Sequence, residues 1–187
     1  LNICQIRTHD VADGPGVRVA VYVSGCEFYC PECHNKEAWD FNYGEKYSLS
    51  SETKIMDAIC KEHISGLSIL GGEPLHPRNV EMVLDICRLI RLKFYREDRS
   101  IWIWTGYTAE ELLALLSEND TKHRLTLSDH VRALHEILYL ADVIVEGRYE
   151  KDKKDLRLKF RGSTNQRIIK SRELLDKKIV IIPDDEI

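Results

Sequence analysis

An α/β fold built on a mainly parallel sheet is what this sequence predicts, on three observations. Short β-branched runs alternate with segments whose apolar residues recur at helical spacing. Turns rich in glycine or cysteine follow directly on three of those runs. The longest apolar runs, Val19-Ala20-Val21-Tyr22-Val23 and Ile179-Val180-Ile181-Ile182, are strand-sized. Repeated strand, loop and helix units imply parallel strands joined by right-handed crossovers. The chain of 187 residues is expected to form one domain over residues 1–187, burying roughly 70% of the surface its unfolded form exposes.

Residues 1 to 12 read as a short, partly extended lead-in. Asp13-Gly14-Pro15-Gly16 forces a tight turn, and Val17 to Val23 is a buried strand by its β-branched content. After the cysteine-rich loop that follows, Trp39 to Leu49 is irregular. Ser51 to His63 is predicted as a helix with Ile55 and Ile59 on its apolar stripe, capped by Ser50 or Ser51 and stopped by Gly66. Leu67 to Leu70 is the next strand, ending in the turn Gly71-Gly72-Glu73-Pro74.

Pro77 suits the first turn of a helix whose residues Val80, Val83, Leu84, Cys87 and Ile90 keep the 3.6 period. Ile101 to Trp104 is a third strand, closed by Thr105-Gly106-Tyr107. Thr108 and Glu111 form a capping box for a helix to about Ser117. Residues 118 to 128 read as a polar connection, 129 to 139 as a helix, and Val143 to Val145 as a strand before Glu146-Gly147-Arg148. Leu156, Leu158 and Phe160 alternate with basic residues, the pattern of a half-exposed strand.

The net charge of -4 gives no general affinity for nucleic acid. Every apolar run is far below the ~20 residues that span a bilayer, and the first residues lack the pattern of a secretory signal. No nucleic acid or membrane partner is therefore expected. Three of the six cysteines fall within eight residues, which points to metal chemistry in a reducing, cytoplasmic setting rather than to disulfides. Cys4, Cys60 and Cys87 are scattered and are expected to be small buried hydrophobes.

Those three thiols, Cys26, Cys30 and Cys33, are the chemical centre of the chain. A closed structural zinc site or a fully ligated cluster takes four protein ligands, whereas three leave a position open. The spacing Cys26-x3-Cys30-x2-Cys33 lets one loop reach three corners of a cubane 4Fe-4S cluster; zinc needs a fourth ligand, and His34 is adjacent to Cys33. A non-catalytic zinc module is thus the alternative from a different class. In a parallel sheet, ligands gather at the carboxyl ends of the strands, so the cysteine loop (residues 25 to 36), the Gly71-Gly72-Glu73-Pro74 turn and Thr105-Gly106-Tyr107 should converge. Glycines let backbone approach a ligand closely, and Glu73 offers an acceptor for an ammonium group.

The cysteine spacing together with Gly71-Gly72-Glu73-Pro74 resembles the radical S-adenosylmethionine superfamily. Asp13-Gly14-Pro15-Gly16-Val17-Arg18, Cys33-His34-Asn35-Lys36 and Trp39 narrow that resemblance to the glycyl-radical activating enzymes. Val23-Ser24-Gly25-Cys26, Trp102 to Tyr107, Asp142 to Gly147 and Arg161 to Arg167 resemble the branch acting on anaerobic ribonucleoside-triphosphate reductase.

The resemblance implies a compact partial (β/α) barrel with a C-terminal extension from about 148 to 187. It implies a 4Fe-4S cluster held by Cys26, Cys30 and Cys33, and S-adenosyl-L-methionine held by Gly71, Gly72 and Glu73 at its methionine end. Glu32, Cys33 and His34 would lie along the adenine, and Thr105 belongs to the same cofactor site. The implied reaction is reductive cleavage of S-adenosylmethionine to methionine and a 5'-deoxyadenosyl radical, which takes a hydrogen from a glycine on the reductase's large subunit. A low-potential electron donor is the second implied partner, no side chain is assigned as acid or base, and activation of another glycyl-radical enzyme such as pyruvate formate-lyase is the nearest alternative. Asp13 is either a turn former or a contact for the incoming glycine loop. One position departs from the pattern: Glu32 stands where an aromatic residue often precedes the third cysteine, which makes His34 the candidate to stack on the adenine.

Overall fold

The computed structural model describes residues 1–118 and 128–187. Most of the polar connection expected at 118 to 128 lies outside the described residues. Seven strands form one sheet: β1 (Asn2–Asp10), β2 (Val17–Val23), β3 (Glu45–Lys46), β4 (Ile64–Gly71), β5 (Ser100–Trp104), β6 (Val143–Glu146) and β7 (Arg167–Lys170), in the order β3-β1-β2-β4-β5-β6-β7. The central strands β2, β4, β5 and β6 are parallel, as predicted. The flanking pairs β1 with β2, β3 with β1 and β6 with β7 are antiparallel, so the sheet is mixed.

The flanking strands are where structure and expectation part. The lead-in at residues 1 to 12 is in fact the nine-residue strand β1. Gln5, Arg7 and His9 are exposed in alternation with more protected neighbours, so β1 shows no apolar run to read. The strand expected around Leu156 to Phe160 does not form. The Asp155 carboxylate instead accepts from the backbone N–H of Arg157 at 2.9 Å and folds the chain into a local turn, and Phe160 adopts a left-handed conformation, φ 54°.

Two of the four described helices begin on a side-chain cap. Helix α1 (Leu49–Ile59) starts two residues before Ser51, with Ser48 at the N-cap position and no side-chain cap bond, and ends before His63. Helix α2 spans Val80–Lys93 and α3 spans Ala109–Glu118. The predicted capping box at α3 is complete: Thr108 Oγ1 accepts from Glu111 N at 3.2 Å, and Glu111 Oε2 accepts from Thr108 N at 2.8 Å. Helix α4 (Asp129–Leu140) is capped by Ser128, whose hydroxyl accepts from Val131 N. Among the described residues no helix is long and apolar enough to cross a membrane.

The sheet's two faces have different fates because successive side chains point to opposite sides. Val19, Val21, Val23, Leu67, Ile69, Ile101, Ile103 and Ile144 pack with Ile55, Ile59, Val83, Ile90, Leu134 and Ile137 of the helices in one core. On the opposite face Trp102, Val143, Val145 and Ile168 form a smaller cluster, covered by Phe160, Ile182 and Ile187. Cys87 is buried as expected, but Cys4 is half-buried and Cys60 exposed, so the reading of all three as core residues holds for Cys87 alone.

Arg18 is the unusual member of the buried set, fully buried at the start of β2. Its guanidinium donates to Ser68 Oγ (2.7 Å), Ser100 Oγ (2.9 Å), Leu67 O (2.7 Å), Ser100 O (3.1 Å) and Pro15 O (3.4 Å). Burial pulls its pKa down to about 10. A buried charge is tolerated when every donor has an acceptor, and here hydroxyl and carbonyl oxygens take that part.

Candidate functional site

The cysteine loop leaves β2 and is pinned at both ends by backbone bonds. Gly25 N donates to Ala38 O at 2.7 Å, Cys26 N to Trp39 O at 3.2 Å, and Cys33 N to Cys30 O at 3.1 Å. Tyr29 (φ 48°) and Glu32 (φ 57°) take left-handed conformations, which wind the loop tightly between its cysteines. Phe28 anchors the loop to the neighbouring strand ends. Its ring meets Tyr107 edge-on at 5.0 Å, and the Arg148 guanidinium lies over its face at 4.3 Å.

The Gly71-Gly72 pair has a packing reason that the sequence does not reveal. Gly71 has φ 109°, and a Cβ on Gly72 would stand 2.5 Å from Gly25 O and 2.9 Å from Ala38 O. The turn therefore lies directly on the cysteine loop. Gly72 N donates to Val23 O (2.7 Å) and Glu73 N to Gly25 O (2.8 Å).

Glu73 is buried, and its carboxylate is committed inside the protein. Oε1 accepts from Thr105 Oγ1 (2.7 Å) and Leu75 N (2.9 Å), and Oε2 from Gly106 N (2.7 Å). The side chain thus ties the β4 turn to the β5 turn. Burial pushes its pKa up to about 7, outweighing the three hydrogen bonds that favour the charged form. Between the ordinary carboxylate value and about 7, the folded chain holds a proton that the unfolded chain has released, so stability should fall as pH rises through that window. The full effect is about 3 kcal/mol. Urea denaturation of the metal-free protein at pH 5 and pH 7.5 measures it, and Glu73→Gln should flatten the difference; an unchanged difference in the variant would refute the assignment.

These elements enclose a cavity of about 470 Å³ on the sheet face opposite the helices, lined among others by Cys26, Cys30, Cys33, His34, Gly71, Gly72, Glu73 and Thr105. Of the residues singled out from sequence, Glu32 is the one that does not line it. The Glu32 side chain points outward to Lys151, Oε1 to Nζ 2.5 Å, which joins the cysteine loop to the segment after β6. His34 faces Tyr149 across the cavity, ring centroids 6.2 Å apart. Asp13 also lines the cavity; its carboxylate accepts from the Tyr22 hydroxyl, and its backbone carbonyl accepts from Ser68 Oγ.

Sequence reasoning missed Tyr22, Trp104, Arg148, Tyr149 and Gln166, all of which line the cavity. One signal could have found two of them: Glu146-Gly147-Arg148 ends a parallel strand just as the other site turns do. Gln166 arrives from the antiparallel strand side and carries no such signal. Its Oε1 accepts from Gly162 N (2.9 Å) and its Nε2 donates to Gly147 O (3.0 Å), closing the cavity wall.

The donor set fits an iron-sulfur cubane better than a single ion. Among the described residues no three His, Cys, Asp or Glu side chains are gathered closely enough to hold one metal ion. Thiolates around one zinc stand within about 4 Å of each other, given Zn–S near 2.3 Å, whereas the corners of a cubane lie farther apart. Burial pushes the Cys26 thiol up to about 11, with Glu73 and the other two thiols adding to the shift. Burial and Cys33 likewise raise Cys30. An iron core would offset this repulsion among the thiolates, alongside the Arg148 charge that acts on Cys30.

Fold and thiol loop together define a protein of the single-cluster iron-sulfur class: residues 12–169 match the family model described as "4Fe-4S single cluster domain". The same chain is 36% identical over 168 residues to the anaerobic ribonucleoside-triphosphate reductase-activating protein of Pasteurella multocida, covering 89% of this chain and 95% of that protein. The protein of that name from Escherichia coli (strain K12) is 35% identical over 89% of this chain and 96% of its own length. That from Enterobacteria phage T4 is 32% identical over 90% and 93%. The chain belongs to the family of anaerobic ribonucleoside-triphosphate reductase-activating proteins.

Proposed function

We propose that this chain activates anaerobic ribonucleoside-triphosphate reductase as a radical S-adenosylmethionine enzyme, working on a glycine in the glycyl-radical loop of the reductase's large subunit. The observation that carries the reading is the convergence of Cys26, Cys30 and Cys33 with Gly71, Gly72, Glu73 and Thr105 around one cavity. In this reading residues 1–187 act as one unit, the mixed sheet is the family's partial (β/α) barrel, and the enzyme works in the cytoplasm with a low-potential electron donor.

Cys26, Cys30 and Cys33 would hold three irons of a 4Fe-4S cluster, leaving the fourth for the amino and carboxylate groups of S-adenosylmethionine. The bound cluster supplies one electron for reductive cleavage of the sulfonium. The chain's own residues shape the chamber. The Gly71-Gly72 backbone presents a side-chain-free wall beside the cysteine loop, and Glu73 fixes the height of Thr105 and Gly106 through two of its three bonds. His34 and Tyr149 offer aromatic surface for the adenine, and Phe28, Trp104 and Tyr22 keep the lining largely apolar. In this reading no side chain is assigned a proton-transfer step.

Anaerobically reconstituted, reduced protein mixed with S-adenosylmethionine and the large reductase subunit should give a glycyl radical in electron paramagnetic resonance, with 5'-deoxyadenosine accumulating. A radical formed only with pyruvate formate-lyase would redirect the reading to another target. Colourless protein holding stoichiometric zinc would end it.

A further inference from the structure

We infer that Asn79 is a positioning residue for the cofactor chamber, clamping the cysteine loop to the Gly-Gly-Glu turn through one side-chain amide. Asn79 is 1% exposed, at the N-cap position of α2. An asparagine at a helix start ordinarily accepts from the first free amides of the helix. Here no such bond is made. The side chain turns away from the helix, and its Nδ2 donates to Ser24 O (3.1 Å), Gly25 O (3.2 Å) and Glu73 O (2.9 Å).

Three carbonyl oxygens around one side-chain atom fix that atom as the nitrogen, because an amide oxygen there would face acceptors alone. The helix forgoes the stabilising cap that an asparagine ordinarily supplies at this position, so the amide is committed to the loops. Two of its acceptors, Ser24 and Gly25, are the residues that lead into Cys26, and the third is the backbone of Glu73. The clamp therefore sets the spacing between the thiol that starts the cluster site and the turn facing the methionine end of S-adenosylmethionine. It acts without touching either group, since Asn79 is absent from the cavity lining.

The inference rests on the proposed function for its ligand, though not for its geometry. Asn79→Ala should keep wild-type iron and sulfide content, because all three thiols remain. Its half-saturation by S-adenosylmethionine should rise at least tenfold, read from the change the ligand makes in the reduced cluster's paramagnetic signal. Turnover at saturating ligand should change less than the half-saturation does. Hydrogen exchange at the Gly72 and Glu73 amides of the metal-free chain should accelerate at least tenfold, a readout independent of the cofactor.

Asn79→Ser keeps one donor of shorter reach, should fall between wild type and Asn79→Ala, and serves alone if the alanine variant does not fold. Unchanged affinity and unchanged exchange in a folded variant would overturn the clamp. Failure of both variants to fold would assign Asn79 to stability alone and overturn it equally. A wild-type signal that does not respond to S-adenosylmethionine would refute the proposed function instead, leaving the exchange result to judge the clamp.

Discussion

Cys30→Ser should strip the protein of its iron-sulfur chemistry: reconstituted iron should fall from about four per chain to below one, with the brown colour and 5'-deoxyadenosine formation lost together. The effect follows from the count of ligands. In the proposed ligand set three thiols would hold a four-iron cluster, and of the remaining cysteines Cys60 is exposed, Cys87 is buried in the helix-side core and Cys4 is bonded to Asn35. A serine hydroxyl, which does not ionise near neutral pH, is a poor substitute for a thiolate. The fold should survive, because Cys30 lies half-buried in a loop, and away from such features single substitutions usually change stability by within about 0.5 kcal/mol. Iron analysis with urea denaturation of the metal-free chain separates the two. Cys30→Ser retaining wild-type iron would remove the thiol trio from the proposal.

Gly72→Ala should act on the fold and the site at once. The added methyl would meet two backbone oxygens, Gly25 O at 2.5 Å and Ala38 O at 2.9 Å, and backbone cannot swing aside as a side-chain tip can. The loops must separate, which strains the bonds Gly25 N to Ala38 O (2.7 Å) and Glu73 N to Gly25 O (2.8 Å). A loss of about 2 to 3 kcal/mol is expected in the urea-derived stability, with weaker iron retention in dilute chelator. Stability within about 0.5 kcal/mol of wild type would show that the turn yields, contrary to the contact geometry.

How much of this was legible in the sequence depended on whether the signal was local. Val17 to Val23, Leu67 to Leu70 and Ile101 to Trp104 announced central strands because strands buried on both faces carry continuous apolar runs. The Thr108 and Glu111 box was legible because its two bonds span three residues. The outer strands β1 and β7 were not: β1 alternates exposed and protected residues with no apolar run, and β7 pairs antiparallel with β6 across an intervening segment whose alternating Leu156, Leu158 and Phe160 point to a strand that does not form. The site divides in the same way. The thiols, the Gly-Gly-Glu turn and Thr105 follow strands directly and could be placed on one rim. Glu32 could not be understood, because its partner Lys151 stands 119 residues away. Nor could the internal commitment of the Glu73 carboxylate be read, because free carboxylates and buried ones have the same letter.

Arg18 carries a consequence for how this chain can vary. Its five donors are met by Ser68, Ser100, Leu67 and Pro15, on three separate stretches of chain. Ser68 Oγ in turn donates to the carbonyl of Asp13, in the turn that precedes β2. These positions form one heritable unit: a larger side chain at residue 68 or 100 displaces the guanidinium, and a shorter one at residue 18 strands the serines. Tolerated changes at the three sites should therefore arrive together, and a lone replacement of Ser68 should be accepted only in chains whose residue 18 has already lost its charge.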